Sequence, residues 1–263
     1  MAQGRNKPKL TTCHNAEERT PRPRSLVLKR FFLVGAGAGL IVTVGVGIWE
    51  DHSQGEPSRI WAFANEIRCN NLNVVVYSPD HRDALIACEG ARDAIEFLAS
   101  QNLDVTNNIS IEIVTNLPPM VSRSAAGCYL ESERRVLILV YSGFRKFKTW
   151  FGISINRLLY RSLISHEVAH LVADYNFKIP KPSIQAKEYI AYVTQLSTME
   201  PALRKRVMSH FKCKAFAGDW QMFETIYMLD CMGFGVRVYL HYLNQPNGRD
   251  YLQSILNGKA LVE

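Results

Sequence analysis

The order of hydrophobic patterns along the chain limits its fold more than any other feature of the sequence. Residues 72–78, 108–115 and 136–141 are short runs rich in β-branched or apolar residues, which is typical of strands. Residues 80–100 carry apolar side chains at helical spacing, with Asp80 as the predicted N-cap. Strands followed by helices indicate the α+β class, with one small mixed sheet and the helices segregated behind it. Helical patterns after the last strand cover 155–172, 183–197, 200–212, 219–230, 234–244 and 249–256, and Ser183 is the predicted N-cap of the second of these.

The N-terminal part of the chain differs in character from the rest. Residues 31–49, FFLVGAGAGLIVTVGVGIW, carry no charge and are long enough to span a bilayer. Basic residues precede this segment and Glu50 and Asp51 follow it, so the positive-inside rule predicts a cytoplasmic tail over 1–30 and an exported body. The segment is either an uncleaved signal anchor or a signal peptide with a long basic n-region.

The rest of the chain is predicted to form a polar linker over 50–59 and one domain over 60–263. Two locations follow from the two interpretations of the apolar segment. An uncleaved anchor gives a single-pass inner-membrane protein with its C-terminal domain in the periplasm or extracellular space. A cleaved segment gives a secreted protein.

The formal charge of +7 is concentrated in the basic tail. Residues 1–30 contain eight Lys or Arg against two Glu, which accounts for six of the seven charges. The body is therefore nearly neutral, and it has no basic stripe with interleaved aromatic side chains. This distribution argues against nucleic acid as a partner.

The cysteines also bear on export. Of the six, Cys13 lies in the tail and five lie in the exported body, so one is left unpaired or pairs between chains. Cys69 and Cys88 flank a predicted strand and the start of the next helix, and we predict a disulfide between them. Cys213 with Cys231 is the second pairing that we consider.

The motif HEVAH, residues 166–170, lies inside the predicted helix 155–172. His166 and His170 are one helical turn apart, so both imidazoles project from the same face and can bind one zinc ion. Glu167 stands beside that face, where it can take a proton from a water activated by the zinc without being a ligand itself. The motif therefore predicts a zinc site with a general base.

A catalytic zinc site needs a third protein ligand and an open fourth position. Glu188 is the strongest candidate, because it lies on the next predicted helix and two prolines between the helices allow the chain to return. Asp174 is four residues past His170 on the same helix face, so we expect it to orient His170 rather than to bind the metal.

HEVAH followed after 17 residues by Glu188 resembles the gluzincin class of zinc metallopeptidases, whose pattern is HExxH, a spacer and a glutamate on the next helix. The spacer here is one residue shorter than the nearest common gluzincin spacer. The segments SHEVAH and EYIAY, with FGVRVYLHYL near the C-terminus, are also similar to an uncharacterised family of exported bacterial metallopeptidase-like proteins over about residues 66–258.

These resemblances imply a zincin-like fold, in which a small sheet is followed by the HExxH helix and a second ligand helix. They imply that His166, His170 and Glu188 bind Zn²⁺ and that Glu167 is the general base. The expected activity is hydrolysis of a peptide bond in a protein, a peptide or a cell-wall peptide. In zincins the strand before the active helix often pairs with an extended substrate, and 136–141 fits that position.

Such a reaction also needs a group that stabilises the developing oxyanion. Tyr192, one turn past Glu188, is the preferred candidate; Tyr175, Tyr189 and His241 are the others. The alternative to an enzyme is a zincin-like protein-binding module with a structural zinc. A membrane-tethered structural protein without metal is a third interpretation. An open coordination position on the metal distinguishes the enzyme from the module.

Overall fold

The computed structural model describes residues 65–119, 121–122 and 124–262. The predicted basic tail (1–30), membrane segment (31–49) and linker (50–59) lie outside the described residues, as do the first residues of the predicted domain (60–64). In the part of the chain that is described, no helix combines the length and the apolarity needed to cross a bilayer.

The first half of the described chain forms a five-stranded mixed sheet in the order β1-β2-β3-β5-β4. The central strands β2, β3 and β5 are parallel, and β1 and β4 are antiparallel edge strands. Alternate side chains of β2 are buried, whereas β3 and β5 each bury three consecutive residues, as is typical of strands covered on both faces. The elements are β1 (Asn65–Arg68), β2 (Val74–Ser78), α1 (His81–Ser100), β3 (Ile109–Val114), β4 (Gly127–Leu130) and β5 (Arg135–Leu139).

The second half is helical apart from a short hairpin. Helix α3 is nearly all buried and packs against both α1 and α4. Gly90 permits the close approach of α1, because a Cβ there would lie 2.6 Å from the carbonyl oxygen of Arg161. The elements are α2 (Tyr141–Phe144), β6 (Thr149–Trp150), β7 (Ile153–Ser154), α3 (Arg157–Asn176), α4 (Ile184–Thr198), α5 (Pro201–His210), α6 (Glu224–Leu229), α7 (Cys231–Leu243) and α8 (Gly248–Leu256).

The predicted α+β class and the mixed sheet are confirmed. The prediction that 136–141 pairs with an extended substrate is wrong, because β5 already pairs with β3 on one side and with β4 on the other. The edge strand next to it is β4, which lies in a segment that we expected to be a turn. The short strands β1, β6 and β7 were also not predicted.

Cysteine pairing follows the prediction at one of two places. Cys69 and Cys88 form a disulfide that ties the end of β1 to α1. The second pairing considered, Cys213 with Cys231, is not formed within the described residues. The Cys231 thiol is instead hydrogen-bonded to the hydroxyl of Tyr192.

Candidate metal centre

Helix α3 holds the HEVAH motif in the interior of the domain. Asn156 caps its N-terminus, where the side-chain oxygen accepts a hydrogen bond from the backbone N–H of Leu159. The helix has apolar residues on all sides of the motif, which is typical of a buried helix. His166 and Glu167 are 8% and 6% exposed, so this turn lies almost wholly away from solvent.

Helix α4 returns alongside α3 and brings Glu188 to the histidines. Its N-cap is Ser183, as predicted, and the Ser183 hydroxyl accepts from the backbone N–H of Ala186. The same hydroxyl donates to the carbonyl of Leu261, which fixes the start of α4 to the C-terminal segment. Glu188 lies in the second turn of α4, on the side that packs against α3.

The three predicted ligands meet at one point. The Nε2 atoms of His166 and His170 are 3.1 Å apart. Each of them lies 3.6 Å from an oxygen of Glu188, Oε2 for His166 and Oε1 for His170. A tetrahedral zinc site with bonds of about 2.0–2.1 Å requires ligand atoms separated by about 3.3 Å. The observed distances bracket that value.

A buried polar atom without a hydrogen-bond partner also indicates a cation site between these three side chains. Glu188 Oε2 is buried and has no hydrogen-bond partner, although a buried carboxylate oxygen normally has one. Two imidazoles and one carboxylate form a donor set that zinc uses in catalytic sites. In the described part of the chain, these three residues are the group of His, Cys, Asp and Glu side chains that can hold a metal ion.

Burial sets the protonation of the two histidines. It lowers the pKa of His166 well below the usual value, and the neighbouring His170 lowers it further. Burial and then the charge of Lys187 lower the pKa of His170 to about 4. Both rings are therefore neutral at physiological pH, which is the form that binds a metal.

The two carboxyl groups respond to burial in the opposite direction. Burial raises the pKa of Glu188 to about 7, although the Tyr227 hydroxyl and the charge of Lys187 oppose the change. Burial and then the charge of Glu188 raise the pKa of Glu167 well above its usual value. A carboxylate with a raised pKa is a stronger base, which suits a group that must accept a proton near neutral pH.

Glu167 lies beside the three metal-binding side chains and packs against β4. A Cβ on Gly127 would come within 2.8 Å of Glu167 Cγ and 3.0 Å of its Oε1. The absence of a side chain at residue 127 therefore makes room for Glu167. The sequence did not predict this role of Gly127, because the pairing that creates β4 involves residues distant from it in the chain.

Two tyrosines approach the metal-binding side chains. The ring of Tyr192 stands edge-on to His166, with centroids 4.5 Å apart, and its hydroxyl is directed to Cys231. The hydroxyl of Tyr227 in α6 interacts with the carboxylate of Glu188. Tyr227 was not predicted, and no local pattern in the sequence distinguishes it from the other tyrosines.

The remaining oxyanion candidates have other partners. Tyr189 and His241 are hydrogen-bonded to each other at 2.8 Å, and neither lines the cavity at the metal-binding side chains. The ring of Tyr175 lies under the guanidinium of Arg134, 4.9 Å from the centroid. These three residues are thus not brought to the metal-binding side chains.

Asp174 lies on the predicted face of α3 but contacts a different residue. Its Oδ2 accepts a hydrogen bond of 2.9 Å from the hydroxyl of Tyr129 in β4. The hydroxyl of Tyr129 is partly buried and needs an acceptor, and Asp174 supplies it. The observed contact ties α3 to the edge strand, whereas the predicted partner was His170.

A cavity of about 650 Å³ opens onto the metal-binding side chains. We call it the metal cavity. His166, Glu167, His170 and Glu188 all line it, as do residues of β4 and α6. An ion pair between Lys187 and Glu131 also belongs to its wall. The site is therefore accessible from outside, as an open coordination position requires.

Residues 74–263 match the family DUF6639, which is described as a family of unknown function. The chain belongs to DUF6639. The match spans β2 to the C-terminus and therefore includes both helices that carry the metal-binding side chains. Comparison with curated proteins and comparison with solved structures give no match.

Proposed function

We propose that this chain is a zinc-dependent hydrolase of peptide bonds, with a gluzincin-like site on a zincin-like fold. The observation that carries the proposal is the convergence of His166, His170 and Glu188 at zinc-like separations. Glu167 stands next to them in an accessible cavity. A structural zinc needs neither the accessible cavity nor the additional carboxylate.

The architecture supports a zincin-like fold. A small mixed sheet comes first, then the HExxH helix α3, and then a second ligand helix α4. Helix α3 contacts the edge strand β4, so the metal-binding side chains lie close to a strand that pairs on one side only within the described residues. This is the order of elements that the gluzincin resemblance implies.

The chemistry assigns a task to each side chain. When bound by His166, His170 and Glu188, zinc supplies a Lewis acid that polarises a carbonyl and lowers the pKa of a water molecule to about 7. Glu167 accepts the proton from the attacking water and returns it to the nitrogen of the leaving amine. Both histidines are neutral, which is the form that binds a metal.

A tyrosine hydroxyl is the proposed donor to the developing oxyanion. Tyr192 is the residue that the sequence favours, but it is buried and its ring packs against His166, whereas Tyr227 is only half-buried. Tyr227 lines the same cavity and lies next to the third ligand. We therefore assign the donor role to Tyr227 and the packing of His166 to Tyr192.

The edge strand β4 offers a position for an extended substrate. Gly127, Cys128 and Tyr129 all line the metal cavity, and β4 pairs only with β5 among the described residues. A peptide that adds to this edge as a further strand would pass across the cavity. The substrate is thus proposed to be a peptide or protein segment in an extended conformation.

Export fits this chemistry. The uncharged segment 31–49 would hold the hydrolase at the inner membrane with its domain outside the cytoplasm, or would direct its secretion if cleaved. The disulfide between Cys69 and Cys88 agrees with an oxidising compartment.

The deciding experiment is the zinc content of the full chain produced in an oxidising compartment. We expect one zinc per chain in the wild type, and loss of zinc in His166→Ala and Glu188→Ala. His81→Ala and Glu96→Ala, exposed residues of α1, are matched controls that should keep the metal. A folded wild-type protein that binds no zinc would overturn the proposal.

Glu167→Gln separates the enzyme from the non-catalytic module. We expect this variant to keep its zinc and to lose hydrolysis of unfolded protein substrates, because the amide cannot accept the proton. If the wild type binds zinc in this site but cleaves no peptide bond in a broad set of unfolded proteins, the structural-zinc module is the correct interpretation.

A further inference from the structure

A second cavity, of about 590 Å³, lies beside the metal cavity. We call it the C-terminal cavity, because its wall includes residues 259–262 as well as Gln185 and residues 219, 220 and 222–225. The two cavities share no lining residue, but they are adjacent in the chain at two places. Ile184 lines the metal cavity, and the next residue, Gln185, lines the C-terminal cavity. Thr225 lines the C-terminal cavity, and Tyr227, two residues later, lines the metal cavity.

Exposed apolar side chains are concentrated around these two cavities. The described residues contain nine large hydrophobic side chains that are exposed; five of them line one of the two cavities, and a sixth, Leu229, directly follows Met228 in the chain. We call these six the apolar strip. It consists of Ile184, Trp220, Phe223, Met228, Leu229 and Val262. A concentration of exposed apolar side chains around cavities is typical of a binding site in a soluble domain.

The strip has members in both cavities. Ile184 and Met228 line the metal cavity, while Trp220, Phe223 and Val262 line the C-terminal cavity. A chain that enters the metal cavity therefore meets apolar side chains on its way to the C-terminal cavity. Trp220 and Phe223 are 65% and 57% exposed, so both rings have most of their surface available for contact.

Polar groups in the C-terminal cavity also suit a polypeptide. Gln185 is 8% exposed, and its buried Oε1 has no hydrogen-bond partner. A main-chain N–H of a bound peptide is the type of donor that this amide oxygen needs. Asp219 is already used, because it accepts from the hydroxyl of Tyr251 and from the backbone N–H of Leu261.

We propose that the apolar strip binds apolar side chains of a polypeptide substrate at a distance from the bond that is cleaved. The inference rests on the proposed peptide hydrolysis and names its substrate class: unfolded segments rich in apolar residues. Folded proteins bury such residues and would bind poorly. The strip thus selects unfolded polypeptides before the metal cavity acts on them.

The charge of the strip favours a polypeptide over a membrane. Asp219, Glu224 and Asp230 lie along the same segment as Trp220 and Met228. An anionic lipid surface repels carboxylates, so this segment is poorly suited to insertion at such a surface. Acidic side chains are no obstacle to binding an apolar, uncharged stretch of polypeptide.

The test measures binding without cleavage. The protein is the full chain carrying Glu167→Gln in a phosphatidylcholine nanodisc. The probe is labelled α-lactalbumin, either native or permanently unfolded by reduction and carboxymethylation. We expect binding of the unfolded form only. Adding Trp220→Ser and Phe223→Ser should weaken that binding by about tenfold or more, given the apolar area removed.

The matched control pair is Leu85→Ser with Leu243→Ser, which are exposed apolar residues outside the strip. This pair should leave the affinity unchanged. If both double variants lose affinity for unfolded α-lactalbumin equally, the inference is overturned, because binding would then depend on exposed apolar residues anywhere on the surface. Equal binding of native and unfolded α-lactalbumin would overturn it as well.

Two other occupants of the apolar strip, lipid and a second copy of the chain, would each give a distinct result. Quenching of Trp220 emission by brominated lipid in the nanodisc, measured as the difference from Trp220→Phe, would show that lipid covers the strip. Self-association that the Trp220/Phe223 pair abolishes would show that a second copy does so. Either result overturns the inference.

Binding and hydrolysis can fail separately. If the chain holds no zinc and cleaves nothing, yet the strip binds unfolded α-lactalbumin, the proposed hydrolysis fails and the polypeptide-binding surface remains. If the wild-type chain hydrolyses unfolded protein but the Trp220/Phe223 pair changes neither KM nor binding, the hydrolysis stands and the substrate class assigned here is wrong.

Discussion

The side chain of Glu167 occupies the space that a side chain at Gly127 would take, since a Cβ on Gly127 would lie 2.8 Å from Glu167 Cγ. The relationship joins the proposed general base in α3 to the edge strand β4. A misplacement of about 1 Å at a reacting group can cost about a hundredfold in rate. The backbone of β4 is therefore part of what positions Glu167.

We predict that Gly127→Ala lowers kcat by about a hundredfold while the zinc content stays at that of the wild type. The new methyl group must displace Glu167 and also the Cδ1 atom of Ile138, which would lie 2.9 Å away, and none of its three nearest atoms belongs to a metal ligand. Gly143→Ala is the matched control, because the nearest atom to its Cβ lies 3.5 Å away. An unchanged kcat in Gly127→Ala would show that Glu167 is not held by this contact.

The two tyrosines of the metal cavity should differ in their effect on rate. Tyr227→Phe removes the hydroxyl that lies beside Glu188, and we expect kcat to fall by about a hundredfold or more, as for loss of an oxyanion donor. Tyr192→Phe keeps the ring against His166 and should reduce kcat by less than tenfold. Steady-state kinetics on one peptide substrate measure both.

A larger loss of kcat in Tyr192→Phe than in Tyr227→Phe would support Tyr192 as the oxyanion donor, which is the assignment that the sequence favours. If Tyr192→Phe has a lower kcat than Tyr227→Phe, then the hydroxyl of Tyr192 in the wild type leaves Cys231 during the reaction and serves as the donor. Zinc content should be normal in both variants, since neither residue is a proposed ligand.

The sequence predicted those parts of the fold that depend on local pattern. Asp80 and Ser183 cap their helices because each side chain accepts from backbone N–H groups two or three residues ahead, which is a purely local interaction. The spacing of His166 and His170 likewise places both rings on one face of a helix. Such features need no knowledge of the rest of the chain.

The parts that failed depend on contacts between distant segments. Strand β4 has four residues in a turn-rich stretch, and it exists because β5 pairs with it. Tyr129 on that strand supplies the partner of Asp174, which helical spacing alone had assigned to His170. Tyr227 reaches Glu188 only because α6 folds across the start of α4.

The disulfide between Cys69 and Cys88 closes a loop with a sequence separation of 19 residues. Loop closure of that length is expected to stabilise the domain by about 3 kcal/mol through the unfolded state. We predict that Cys69→Ala/Cys88→Ala lowers the free energy of unfolding by about this amount in urea titrations. Reducing agent should destabilise the wild type similarly and leave the double variant unaffected.

The control for this measurement is built into the comparison of oxidised and reduced protein. If reductant lowers the urea midpoint of the double variant as much as that of the wild type, the effect arises elsewhere. Zinc should be removed by chelation in all samples, because a bound metal would add its own stabilisation.

Stability should depend on pH through His241. Burial lowers the pKa of this side chain below its usual 6.5, and the charge of Asp219 only partly opposes the change. His241 Nε2 lies 2.9 Å from the amide nitrogen of Gln245, which is a donor, so this ring nitrogen is the acceptor of a neutral imidazole. Protonation of His241 Nε2 would place its new N–H against the N–H of the Gln245 amide and remove this hydrogen bond.

The sign follows from the lowered pKa. Between the folded value and about 6.5 the unfolded chain binds more protons at residue 241 than the folded chain does. The free energy of unfolding therefore falls as pH drops below about 6.5, with a slope of at most about 1.4 kcal/mol per pH unit from one histidine. We predict that His241→Asn reduces the loss of stability between about pH 7.5 and about pH 5.5.

Urea unfolding of metal-free protein at the two pH values measures this effect. His166 and His170 also have lowered pKa values, but they are present in both proteins and cancel in the comparison. His81→Asn is the matched control, because it makes the same substitution at a histidine that is exposed rather than buried. If His241→Asn loses as much stability on acidification as the wild type, the pH dependence arises from other groups, and the buried Tyr189–His241 pair is not a site of acid sensitivity.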